Sequence, residues 1–182
     1  MASELIVQTL KGPTSGANAN KVIIPSGQTL DASAGGLTTP SGHVIQTVVT
    51  TSNTQYSGTN SGVLTYLFQV ALTPKYNNSK YLVTLNLSGI GNGGSGRLAL
   101  RVRHNETSGD TSGTQLMDCQ LANAGAGTSD LAGGATTVLV NSSGNTNTQY
   151  FKVCAYKNDT STTWYVSQYN SYCSIHVQEI AG

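Results

Sequence analysis

From His43 to the end of the chain, apolar and aromatic side chains alternate with Ser, Thr, Gln and Asn at a period close to two. A period of two places successive side chains on opposite faces of an extended backbone, and a helix repeating every 3.6 residues cannot use it. Strands are therefore expected at 44–48, 63–72, 80–87, 97–103, 116–121, 136–140, 150–156, 164–168 and 173–180. The segments between them, such as SGTNSG, TPKYNNS, GNGGSG, NETSGDTSG and NSSGNTNT, are rich in residues that accept positive φ or make local side-chain turns. Regularly spaced short strands with such turns build sandwiches and barrels. The expected fold is all-β, a jelly-roll-like antiparallel β-sandwich, with an open Greek-key sandwich as the alternative. Within 63–72, strict alternation puts Leu64, Tyr66, Phe68 and Val70 on one face and Val63, Leu67 and Ala71 on the other. Apolar residues on both faces require a cover on both, and another subunit is expected to supply the outer one.

Only 9% of the residues are charged and the formal net charge is +1, against roughly 25% charged in ordinary soluble domains. Solubility must come from amides and hydroxyls. Gly and β-branched Thr weaken helices, so the same composition disfavours them. Binding to a phosphate backbone draws on clustered Lys and Arg, so no nucleic-acid partner is expected. No apolar run approaches the roughly 20 residues of a membrane-spanning helix, so no membrane insertion is expected. The opening MASELIVQTLKG has no basic n-region or cleavable apolar stretch, so no signal peptide is expected.

Residues 1–40 differ from the rest. Their large apolar side chains are Leu5, Ile6, Val7, Leu10, Val22, Ile23, Ile24, Leu30 and Leu37, too few and too scattered to enclose a private core. This segment is expected to be an extended docking and trimerisation arm, with residues 41–182 as the β-sandwich head. Pro25-Ser26-Gly27 is turn chemistry, and Pro25 also removes a ladder donor. A short strand, a tight corner and a second short strand are expected there, with Ile24 and Leu30 buried only when symmetry mates pack against them in a threefold prism or spiral.

Chemistry that would mark an enzyme or a metal site is absent from the pattern. His43, His104 and His176 stand far apart without zinc spacing, and are expected to make ordinary hydrogen bonds. His104-Asn105-Glu106 matches the H-x-E fragment of a deaminase, but no P-C-x-x-C follows. Gly91, Gly93 and Gly96 satisfy G-x-G-x-x-G, yet a strand rather than a helix follows, so a hairpin loop is expected. The few carboxylates lie in loops, no nucleophile elbow is present, and neither a catalytic residue nor a cofactor nor a metal is assigned. Cys119, Cys154 and Cys173 have no C-x-x-C spacing. Buried free thiols are expected, with a single Cys154–Cys173 bridge as the alternative.

Two groups qualify as a recognition surface. Arg97, Arg101 and Arg103 occupy odd positions of one strand and so share a face; they suit an anion, carboxylates of a neighbouring subunit, or simple solvation. Trp164, Tyr165 and Tyr169 fall in the aromatic-rich C-terminal part, where such rings stack on sugars, anchor interfaces or fill a core.

The run LIVQTLKGPTSGANANKVIIPSGQTLDASAGG, with its PSGxTLD motif, resembles the N-terminal segments of tail-fibre and related virion structural proteins of marine tailed bacteriophages. LFQVALTPKYNNSKYLVTLNLSG is similar to their head domains. This resemblance implies a homotrimer in the virion, made in the host cytoplasm. The arm, through Leu5, Ile6, Val7, Leu10, Val22, Ile24, Pro25, Gly27 and Leu30, would attach to other tail or capsid proteins. The head would touch a host-surface glycan or protein. The chain lacks a long shaft, which leaves a capsid- or tail-decorating cement role as the alternative.

Overall fold

The computed structural model describes residues 11–17, 19, 22–28, 40–59, 61–92, 97–121, 132–158 and 163–182. The chain divides into two units, Met1–Thr38 and Thr39–Gly182.

In the first unit the corner read from the sequence is present. Gln28 N–H donates to the Pro25 carbonyl at 3.0 Å, and Gly27 takes φ 83°, which a residue with a Cβ adopts only under strain. The flanking Val22, Ile23 and Ile24 are not in a strand. They stand 51%, 55% and 42% exposed. The second expected strand, with Leu30, and the residues Leu5, Ile6, Val7 and Leu10 lie outside the described residues.

The second unit is an all-β sandwich of two antiparallel sheets. Its described strands are β1 (Val44–Ser52), β2 (Tyr56–Gly58), β3 (Leu64–Leu72), β4 (Lys80–Asn92), β5 (Leu98–Asn105), β6 (Thr114–Leu121), β7 (Ala132–Asn141), β8 (Gln149–Lys157), β9 (Trp164–Val166) and β10 (Cys173–Ile180). One sheet runs β1-β10-β4 with β7 on β4, and the other runs β3-β8-β5-β6. The pairs β1/β10, β3/β8, β4/β7 and β5/β6 are nested in sequence and alternate between the sheets. The described strands of this unit form one long hairpin rolled into two layers, which is the jelly-roll order. Short β2 and β9 extend the first sheet past the end of β4.

The core lies between the sheets because each inward face is apolar. β10 buries Cys173, Ile175, Val177 and Glu179 in strict alternation, and β4 buries Tyr81, Val83, Leu85 and Leu87. Phe68, Val70 and Leu72 of β3, Leu98, Leu100 and Val102 of β5, and Phe151 and Val153 of β8 meet them. Burying each such side chain contributes roughly 1.5–3 kcal/mol before entropy is counted.

Two local expectations are corrected. A bulge between Tyr66 and Phe68 shifts the register of β3 against β8, and one extra residue exchanges the faces. Tyr66 therefore lies opposite Cys154 and Phe68 opposite Val153, instead of sharing a face. The strand expected at 164–168 stops at Val166; Gln168–Asn170 form a single 3-10 turn in which Ser167, Tyr169 and Asn170 all take φ near +57°. As expected, Cys154 and Cys173 are buried free thiols, the first on a strand of the four-stranded sheet and the second in the other sheet, so the bridge alternative falls; Cys119 is free but only half-buried.

Candidate functional site

The β5–β6 loop, the β7–β8 loop and the adjoining edges of β6 and β7 enclose a cleft of about 540 Å³. It opens where the two sheets part, toward the end at which the chain enters β1. Thr114 and Leu116 of β6, Val140 and Asn141 of β7, Ser142 and Ser143, and Gln149 at the start of β8 line it together with His104, Asn105 and Glu106.

Hydrogen bonds fix these groups before any ligand arrives. The side-chain amides of Asn145 and Asn147 donate to the two oxygens of Glu106 at 2.7 and 2.9 Å. These donors hold the Glu106 carboxyl below the usual range, because they favour its charged form. The Gln149 Nε2 group donates to the Asn147 carbonyl at 2.8 Å and faces Asn145 Oδ1 and Glu106 Oε1. Its Oε1 must therefore accept from His104 Nε2 at 2.8 Å, which puts the imidazole proton on Nε2 and leaves Nδ1 an acceptor. The ring stacks on Phe151 at 4.6 Å. Burial lowers the His104 pKa from 6.5, so the ring is neutral at pH 7.

The arginines read from the sequence fall on the outer face of the four-stranded sheet. Arg101 Nε bonds Asp118 at 3.0 Å, and its guanidinium lies 3.9 Å over the Tyr156 ring. Arg103 donates to the Gly113 carbonyl. Arg97 precedes β5 instead of lying in it, and with Ala99, Arg101, Tyr156 and Asn158 it lines a groove of about 200 Å³. The shared face is as expected, but Arg101 is committed to Asp118 and Tyr156 of its own sheet and Arg103 to the Gly113 carbonyl of the β5–β6 loop.

Of the aromatic group, Trp164 takes the core reading. It is 2% exposed in the core, its ring packed where a Cβ on Gly58 would come within 2.7 Å, and it is no recognition surface. Tyr165 is half-buried, whereas Tyr169 and Tyr172 are 72% and 65% exposed. In the arm, Val22, Ile24, Pro25 and Gly27 are all exposed.

Sequence reasoning missed the cleft. His104-Asn105-Glu106 drew notice only as a fragment of a deaminase pattern, and Asn141, Asn145 and Asn147 read as turn residues. The pair Asn145 and Asn147, two positions apart in a chain with few carboxylates, was the available signal.

No family model and no curated protein matches the chain. Solved structures with a similar course include the infectious bursal disease virus Gx strain, at TM-score 0.43 and 14% identity, over 76% of this chain and 33% of that one. T=1 particles derived from the same virus give 0.44 and 15%, with the same coverage. Its VP2 subviral particle gives 0.42 and 14%, over 93% of this chain and 41% of that one. The chain thus spans a third to two fifths of the length of these proteins. No residue role is carried over from them; the class defined by the strand order is a jelly-roll β-sandwich.

Proposed function

We propose that this chain is a virion structural protein of the fibre or adhesin type, which assembles as a homotrimer through its N-terminal arm and presents the β head for binding to a host surface. The observation that carries this reading is the run Val22-Ile23-Ile24, three consecutive branched apolar side chains left in water beside the hydrogen-bonded Pro25–Gln28 corner. Exposing them costs free energy that a partner surface would recover, and threefold symmetry would supply that surface while multiplying weak head contacts. The resemblance of the arm to tail-fibre segments of marine tailed phages supports the same reading. So does the low charge, since recognition in salt water must rest on polar and stacking contacts when Coulomb attraction is screened.

Light scattering on the purified full chain tests it. The expected mass is three times 18.9 kDa, falling to one copy when Val22, Ile23 and Ile24 are all replaced by Ser. A stable wild-type monomer overturns the trimer. Labelled antibody on intact particles then gives the position: binding at the tail fits the fibre reading, and binding over the capsid shell replaces it with the decoration reading.

A further inference from the structure

We infer that the cleft between β6 and β7 is a binding site for a neutral saccharide unit, with Glu106, Thr114, Asn141 and Ser143 as its polar contacts. The inference rests on the adhesin reading and names the ligand class for its head. The cleft's volume of about 540 Å³ falls in the range of small-ligand sites, roughly 300–1,000 Å³. Its chemistry selects among ligands. The described lining contains neither Lys nor Arg and one carboxylate, Glu106, so an anion would meet repulsion without a counter-charge.

What the lining offers is a dense mixture of donors and acceptors. The Glu106 carboxylate accepts, the Asn141 amide both donates and accepts, and the Thr114 and Ser143 hydroxyls rotate to suit. A ring bearing adjacent hydroxyls, each both donor and acceptor, matches that mixture. The apolar floor of Leu116 and Val140 suits the C–H face of a pyranose. Glu106 is held from behind by Asn145 and Asn147, and Gln149 by Asn147. The site is therefore oriented in advance, and little ordering entropy opposes binding.

The test uses the full chain on a glycan array carrying neutral hexose-, N-acetylhexosamine- and deoxyhexose-terminated glycans beside sialylated and sulfated ones. Saturation-transfer NMR with the methyl glycosides of the neutral binders follows. Binding confined to neutral termini is expected. It should fall at least tenfold in Ser143→Trp, whose exposed side chain fills the cleft without entering the core, and in Glu106→Gln. Thermal midpoint and oligomer mass of Ser143→Trp should stay at the wild-type values. No binding to neutral glycans, equal binding to anionic ones, or undiminished binding by Ser143→Trp overturns the inference. A trimer located on the particle that binds no neutral saccharide overturns the cleft assignment alone. A monomer absent from particles that still binds one overturns the virion reading alone.

Discussion

Burying a charged side chain costs several kcal/mol unless its polar atoms find partners, and Lys152 and Glu179 meet that condition in opposite sheets. The Lys152 ammonium is fully buried and donates to Asn105 Oδ1 at 2.8 Å, to the Thr107 carbonyl at 3.0 Å and to Asp110. It thereby folds the β5–β6 loop over the outer face of its sheet. Glu179 accepts from Gln46 Nε2, Ser79 Oγ and the backbone N–H groups of Lys75 and Tyr76, which ties down the β3–β4 loop. Lys152→Met keeps the aliphatic stem and removes the three bonds, so stability should fall by about 2 kcal/mol. Amide exchange over residues 105–113 should accelerate most. Native-state hydrogen exchange checks this, and wild-type protection of that loop in the variant would sink the account. In the sequence, Lys152 reads as an ordinary outward residue of an alternating strand. Its partners stand 42 to 47 positions away, and no local pattern announces them.

Among the elements, the eight strands of the rolled hairpin were legible as strands because each carries its own alternation, and only their ends moved. β2 was not read, since three residues are too short to show a period; it exists because Tyr56–Gly58 pairs with β9. The phase of β3 was misread for a similar reason. A bulge is a property of two paired strands, so Val63–Leu72 alone looks unbroken. Two glycines show how tightly the added strands seat. A Cβ on Gly89 would meet Ser171 and Gln168 within 2.7 Å, and one on Gly58 would lie 2.7 and 2.9 Å from the Trp164 ring. Gly58→Ala must displace that buried ring, at a cost of about 1–3 kcal/mol. Because Trp164 is the chain's one tryptophan, the displacement should appear as a red-shifted emission together with a lower thermal midpoint. An unshifted spectrum would show that the ring tolerates the methyl group.

At the scale of the molecule, stability should form a plateau across pH with two different edges. Burial lowers the His104 pKa, so above its ordinary 6.5 the ring is neutral whether folded or unfolded. Below 6.5 the unfolded chain binds the proton first, and stability declines until the lower folded value is passed. Glu106 and Asp110, held low by their hydrogen bonds, steepen the loss further into acid as they protonate. On the alkaline side, burial pushes the Cys154 thiol from 9.0 up to about 11. The unfolded chain therefore ionises first above pH 9, and stability falls again. Thermal midpoints measured from pH 4 to 11 should be flat between about 6.5 and 9, and His104→Gln should extend the plateau downward. A midpoint indifferent to pH between 6.5 and 5 in the wild type would refute the buried neutral imidazole. The amino-acid sequence by itself determined that the chain is β-rich, where its turns fall, and that residues 1–40 differ from the rest, because period, turn propensity and composition are local properties that hold before any contact forms. Only the tertiary structure decided the nested pairing, the burial of Trp164 and the cleft, because His104, Glu106, Asn145 and Gln149 meet across two loops whose approach depends on the whole roll of the sheet.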